Sequence, residues 1–498
     1  MINDELKYRI LQSFGFPPTV EQERALDVFS LFMTDRSDHV VMILRGSAGT
    51  GKTTLAGAIV KAMAALEQKM ILLAPTGRAA KVFSLYAGHP AYTIHRRIYR
   101  QKTAADLYSF NLNDNLNRDT LFIIDEASMI ANSVGTVLGE FSQNSPRTVP
   151  TEFGSGCLLD DLMQFVYNGQ NCRMMLIGDK AQLPPVGEEE SPALMADVLR
   201  SYGMKVYECD LNQVLRQSEE SGILWNATKI REISQGDGSF VAQKNRPPVS
   251  LPQIHFQGFA DICVVPGDEL IESLASSYSR VGLDETIVVT RSNKRANIYN
   301  QGIRNQVLDR EDELCRGDQL MIVKNNYFWT EGSKEIAFIA NGDIAVVQRC
   351  RNVHELYGFR FAEVTMQFPD YDNYELTATV ILDTLTSEAP ALTREQQDHL
   401  FHAVMEDYAD IPKKADRIRK LKSDRYFNAL QIKYAYAVTC HKAQGGQWAH
   451  VYLDQGYMTD DMLTPDYIHW LYTAFTRATE KLFLVNWPKT QTEDPPIE

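Results

Sequence analysis

The 498-residue chain has no excess of positive charge: 50 Lys and Arg face 64 Asp and Glu, a formal net charge of −14. A broadly basic surface is therefore excluded, and any polyanion would have to be met by a local channel. Its seven cysteines (Cys157, Cys172, Cys209, Cys263, Cys315, Cys350, Cys440) include no CxxC pair and no Cys/His cluster at metal spacing. That argues against a zinc site or a disulfide framework, and for reduced packing thiols. Runs of apolar residues long enough for a membrane span are lacking, as is a secretory pattern in Met1–Phe16. The expectation is a cytoplasmic protein without a membrane partner. Neither short-period repeats nor low-complexity tracts occur.

What is present is ordinary globular composition, 44% hydrophobic and 23% charged. The length calls for about two to four domains. Four short apolar runs punctuate the first 200 residues: Val40–Leu44, Met70–Ala74, Leu121–Ile124 and Arg173–Ile177. Continuous apolar runs bounded by turn signals suggest strands buried on both faces, and intervening helices imply a parallel sheet. The pattern returns at Glu285–Thr290, Lys433–Thr439, His450–Leu453 and Lys481–Val485, which predicts a second α/β domain. Between its parts, 313–385 reads as β-rich and 392–425 as charged and helical, with the run Lys413–Lys422 as a solvated helix face.

The sharpest motif is Gly46-Ser47-Ala48-Gly49-Thr50-Gly51-Lys52-Thr53, which follows one predicted strand and opens a predicted helix. Its glycines let backbone N–H groups close around phosphates, and the helix N-terminus favours their charge. Lys52 suits the β- and γ-phosphates and the Thr53 hydroxyl suits Mg²⁺, with Thr54 beside it. Asp125-Glu126 ends the third apolar run, which puts both acids at the sheet edge beside this loop. Asp125 suits the Mg²⁺ shell, and Glu126 suits activation of an attacking water. Gly178–Val186 follows the fourth run, and its Gln182 is an uncharged side chain able to sense a terminal phosphate.

The order of these motifs resembles a superfamily 1B helicase of the RecD/Dda type. The resemblance runs through Glu21-Gln22, Gly46–Thr53, Ala74–Ala80, Thr93–His95 and Asp125–Ser128. It continues through Gly178–Val186, Leu211–Gln217, Val438–Gly445 and Tyr472–Ala478. It implies two RecA-like P-loop NTPase domains with parallel sheets, ATP and Mg²⁺ between them, and 5′→3′ movement on single-stranded DNA. It also implies that Gln22 reads the adenine edge, that Arg216 and Arg477 are arginine fingers, and that Gln444 approaches the nucleotide. Related helicases of opposite polarity carry Tyr before the Arg216 equivalent. Here that residue is Leu215, which leaves the adenine-stacking partner unassigned.

The same resemblance assigns DNA contacts to Pro75, Thr76, Gly77, Arg78, Thr93 and His95 on the first domain, and to Thr439 and His441 on the second. Single strands are held by backbone contacts and stacking, which suits these small, hydroxyl and cationic residues. Residues 93–118 read as a hairpin inserted in the first domain, with Phe110 or Tyr108 at the tip of a duplex-splitting pin. The expected domains are 1–92 with 119–205, the pin 93–118, then 206–310 with 429–498. An SH3-like insertion with a charged helical segment occupies 311–428. Asn341-Gly342 within it is a hairpin turn signal. Single-stranded DNA and its junctions with duplex are the expected partners of a monomer. An RNA helicase, or a nucleotide-switched binding module that never unwinds, is the alternative.

Overall fold

The computed structural model describes residues 2–101, 109–132, 152–214, 220–235, 252–333, 336, 338–458, 462 and 464–492. Among the described residues, nine strands cover the first part of the chain. They are β1 (Val40–Gly46), β2 (Lys69–Ala74), β3 (Ala91–Thr93), β4 (Tyr99–Gln101), β5 (Ser109–Leu112), β6 (Thr120–Ile124), β7 (Glu152–Phe153), β8 (Arg173–Gly178) and β9 (Lys205–Leu211). Six of them form a parallel sheet in the order β3-β2-β6-β8-β1-β9. The four apolar runs are its central strands. Alternation decides where each side chain goes. Val41 and Ile43 join Phe122, Ile124, Met174 and Leu176 in one core. Met42 and Leu44 join Leu121, Ile123, Met175 and Ile177 in another, under the helices Ile2–Phe14, Val20–Thr34 and Lys52–Ala65. The sheet runs through Leu211, so the expected boundary after residue 205 falls inside β9.

The second parallel sheet uses β10 (Ile262–Val265) and β11 (Thr286–Thr290). The chain then leaves for a closed barrel of β12 (Gln319–Ile322), β13 (Ile344–Leu356), β14 (Phe359–Phe368), β15 (Tyr374–Ile381) and β16 (Leu430–Tyr434). It returns as β17 (Ala437–Thr439), β18 (Trp448–Asp454) and β19 (Ala478–Val485), giving the order β10-β19-β18-β11-β17. The fold is thus two parallel α/β units, the second interrupted by a β-barrel. The helices Arg394–Asp407 and Lys414–Lys422 pack on the barrel through Leu400, Val404 and Leu421, beside Phe359 and Phe361.

One expected strand is corrected. Lys433–Thr439 is two strands, because Tyr434 pairs with Leu320 of the barrel while Ala437–Thr439 pair with Val288–Thr290 of the sheet. The whole barrel strand Leu430–Tyr434 therefore lies in sequence expected for the second domain. Asn341-Gly342 does turn the chain, with Gly342 at φ +97°, but at the end of a long excursion from β12 rather than between two directly joined strands.

Two contacts position the barrel. At its root, the Asp318 carboxylate is fully buried and accepts from Arg304, Arg310, the Tyr436 hydroxyl and the Cys315 amide. Removing one partner of such a buried pair costs about 3–5 kcal/mol, so the root is stiff. At its far side, the tilted rings of Tyr327 and Phe338 lie 4.9 Å apart and enter the first domain's core beside Tyr99 and Leu112 of the β4–β5 hairpin. Lys81 of the helix Gly77–Ala87 lies 3.3 Å from Asp370. The hairpin pairs Tyr99 with Leu112 and Gln101 with Phe110, and β7 adds a third strand. Among the described residues, no helix is long and apolar enough to cross a membrane.

Asp343 at the base of β13 is 3% exposed and accepts from the Tyr371 hydroxyl and the Ala340 amide. Burial pushes its carboxyl up to about 7. A raised acid stabilises the fold fully below its unfolded value of about 3.9, and that stability is lost as pH rises through the folded value. Thermal denaturation of the wild type should therefore show a midpoint that falls between about pH 4 and pH 7. Asp343→Asn should flatten that fall, and an unchanged slope would refute the assignment to Asp343.

Candidate nucleotide cleft and nucleic-acid path

The phosphate loop leaves the sheet where β1 ends, flanked by β8 and β9. Gly49 and Gly51 take φ of +76° and +78°, a backbone that side-chain-bearing residues adopt only under strain. The helix Lys52–Ala65 then begins with its free amides facing the loop. Lys52 Nζ donates to the carbonyls of Gly46 and Ser47 and lies 3.8 Å from Asp179 Oδ2. Ser47 and Thr50 are buried, whereas Thr53 is half-buried and Thr54 exposed at the helix start.

Asp125 and Glu126 stand at the end of β6, as the sequence predicts. Burial first, then the charge of Glu126, raises the Asp125 carboxyl to about 7, while Lys52 pulls the other way. Two crowded carboxylates form a hard oxygen donor set that a small dication would neutralise. Thr53 and Asp125 could hold Mg²⁺ in this way. Gln182, 6% exposed, has a buried side-chain oxygen with no hydrogen-bond partner among the described residues. An unmet acceptor in the cleft suits a group that exchanges partners with a hydrated phosphate.

Gln22 bonds on both sides within the chain. Its Nε2 donates to the Thr50 carbonyl (3.0 Å) and its Oε1 accepts from Thr19 N–H (2.9 Å). The Nε2 thus braces the phosphate loop, while the Oε1 completes the capping box of the helix Val20–Thr34. Arg477 is 1% exposed and folded back on its own domain. It donates to the carbonyls of Thr473 and Gly446, both at 3.0 Å, and to Thr476 Oγ1 at 3.1 Å. Gln444 Nε2 donates across the cleft to the Leu183 carbonyl at 2.7 Å. Arg216 and Leu215 lie outside the described residues.

The cleft's second wall is the helix Pro465–Phe475. Tyr472 Oη accepts from the Ala48 amide (2.8 Å) and donates to Asp179 Oδ2 (2.7 Å). Next to it, Thr473 Oγ1 accepts from the Leu183 amide at 2.8 Å. Sequence reasoning quoted these residues within motifs but gave them no role. The hydroxyls at successive positions of one motif were the available signal.

Among the strand-contact candidates, Thr76 and Arg78 lie where the two domains touch. Pro75 to Arg78 leave β2, and the Thr76 hydroxyl caps the helix Gly77–Ala87 by accepting from Ala79 N–H. A Cβ on Gly77 would sit 3.1 Å from Asp343 and 3.3 Å from the Tyr371 hydroxyl, so the barrel closes over this turn. Arg78 donates to the Gln447 carbonyl at 2.7 Å and lies 4.5 Å over the Trp448 ring. Thr93 accepts from Arg96 N–H and is buried. Burial lowers His95 to about 4, so it is neutral at physiological pH and offers no charge to a phosphate. Thr439 ends β17 and His441 is exposed two residues later. Phe110 lies in β5; its side chain and all of Tyr108 lie outside the described residues.

A phosphate loop with two acids on one parallel sheet, facing a second parallel sheet across a cleft, defines a two-domain P-loop NTPase. Comparison with known proteins narrows this. A family model described as an AAA domain matches residues 32–188, and one described as a UvrD-like helicase C-terminal domain matches 434–485. The ATP-dependent DNA helicase dda of Enterobacteria phage T4 is 22% identical over 86% of this chain and 90% of its own. The ATP-dependent RecD2 DNA helicase of Deinococcus radiodurans is 23% identical over 89% of this chain but only 47% of its own length. A crystal structure of a Bacteroides Pif1 helicase with ADP-AlF3 and single-stranded DNA overlaps 97% of this chain and 95% of its own, at 15% identity and a TM-score of 0.46. The family-model matches and these relatives make the chain similar to superfamily 1B helicases and support that reading.

Glu126→Gln removes the candidate base while keeping its size. Nucleotide binding, followed by fluorescence of a labelled ATP analogue, should persist while hydrolysis falls by about 10²-fold or more. Hydrolysis within a few-fold of wild type would exclude Glu126 from that role.

Proposed function

We propose that the chain is an ATP-driven DNA helicase that moves 5′→3′ along a single strand. The observation that carries this is the shared cleft. The phosphate loop of the first domain is hydrogen-bonded by the second domain's helix at Ala48, and Arg78, one of the strand-contact candidates, donates to Gln447 of the second domain. In this reading ATP binds at Gly46–Thr53 with Lys52 on the terminal phosphates. Thr53 and Asp125 hold Mg²⁺, which neutralises phosphate charge when bound. Glu126 orients and deprotonates water, and Gln182 senses the γ-phosphate. Arg477 and Arg216 supply guanidinium charge where negative charge spreads in hydrolysis. Arg477 reaches that place by exchanging the carbonyls of Thr473 and Gly446 for phosphate oxygens.

Hydrolysis then opens and closes the cleft, and the contacts at Thr76–Arg78 and Thr439–His441 grip and release in turn. One chain carries both walls of the cleft, which supports a monomer as the working unit. The named activities of the dda and RecD2 relatives support DNA as the track. Duplexes with a 5′ overhang should be unwound in ATP and those with a 3′ overhang should not, read by strand displacement on gels. The opposite preference would overturn the polarity.

The β4–β5 hairpin serves as the wedge at the fork in this reading, braced by Tyr327 and Phe338 from the barrel's excursion. Replacing Tyr108 and Phe110 together with Ala should lower the base pairs opened per ATP while sparing DNA-stimulated hydrolysis. Unwinding at the wild-type yield per ATP would remove the hairpin from that role.

A further inference from the structure

The two domains meet at a second place besides Tyr472, and it links two residues that the proposed mechanism uses separately. Gly445 has φ +71°, and a Cβ there would lie 3.0 Å from Ala79 and 3.1 Å from the Thr76 hydroxyl. Only glycine permits this approach of the second domain to the turn Thr76–Arg78. The next three residues carry contacts on both sides. Facing the first domain, the Gln447 carbonyl accepts from Arg78 and the Trp448 ring lies under the same guanidinium. Facing inward, the Gly446 carbonyl accepts from Arg477 Nη1, and Trp448 N–H donates to the Arg477 carbonyl, both at 3.0 Å. Gly446 is itself pressed on the indole, since a Cβ there would lie 2.4 Å from the Trp448 ring.

Arg78 is held loosely for a half-buried guanidinium. Its Nε has no hydrogen-bond partner among the described residues, so one carbonyl and one ring face retain it. A DNA phosphate offers it two charged oxygens in a fork geometry, a stronger arrangement than a neutral carbonyl and a π face.

We propose that Trp448 is a positioning residue that couples strand occupancy at Arg78 to the placement of Arg477. This rests on the helicase reading above. A phosphate that engages Arg78 draws it off the indole and off the Gln447 carbonyl. The segment Gly446–Trp448 then shifts, and the carbonyl that holds Arg477 Nη1 shifts with it. The guanidinium gains access to the cleft when a strand is bound, which makes hydrolysis depend on DNA. Neither the P-loop nor the strand needs to touch Trp448 for this to work.

The test is steady-state ATPase of the full chain with and without oligo(dT), together with oligo(dT) affinity by fluorescence anisotropy. Trp448→Leu should lower the ratio of DNA-stimulated to unstimulated kcat by about fivefold or more, with KM for ATP and oligo(dT) affinity within about threefold of wild type. Trp448→Phe, which keeps a ring face, should recover most of the ratio. Arg78→Lys keeps the charge, loses the planar face and leaves the indole in place, so it makes the same measurement on an unaltered core. It should lower the ratio as well. A wild-type ratio in both Trp448→Leu and Arg78→Lys would overturn the coupling, as would equal loss of both rates in Trp448→Leu. A wild-type chain whose ATPase ignores oligo(dT) would overturn the helicase reading itself, and the coupling with it.

Discussion

Everything at the nucleotide cleft depends on one buried hydroxyl. Tyr472 Oη accepts from the phosphate loop at Ala48 and donates to Asp179, which in turn faces Lys52. A single oxygen thereby ties the loop, the end of the first sheet and a helix of the second domain. Buried polar groups left without partners are costly, so these bonds break only when others replace them. That favours two discrete arrangements of the cleft over a continuous range. Phosphate oxygens are natural replacements, because they can take the Ala48 amide and the Lys52 ammonium together.

The strand side of the boundary follows the same logic with different groups. Thr76, Gly77 and Arg78 do not lie on an open face. Asp343 and Tyr371 of the barrel cover Gly77, and Gln447 and Trp448 of the second domain hold Arg78. Three units therefore converge on one turn of the first domain. The Asp318 cluster fixes the barrel to the second sheet, so a rotation of that sheet is felt on both sides of the turn at once.

Much of this was legible in the sequence, for identifiable reasons. The runs at Val40, Met70, Leu121 and Arg173 read as strands because both of their faces are buried. The phosphate loop was legible because its chemistry demands glycines and a lysine at fixed spacing. Lys433–Thr439 misled because barrel and sheet both accept alternating β-formers, and only pairing partners distinguish them. Gln22 carries local contacts that its motif did not reveal, a capping box and the Thr50 carbonyl. Tyr472 gave little sign, since a tyrosine in an apolar helix is packing by default and its partner amide lies 424 positions away. Trp448 was silent for the same reason: its ring becomes informative only once Arg78 is seen above it.

The sheet order also dictates when the molecule can be finished during synthesis. The first sheet holds all its strands once Leu211 has been made. The second cannot close until β19 arrives, because β10 and β18 both pair with it. Until then Ala48, Ala181 and Leu183 have no second-domain core to cover them, although all three pack into it in the completed fold. A ribosome stalled before residue 478 would thus display a formed nucleotide loop with a bare apolar flank, a surface that holdase chaperones recognise.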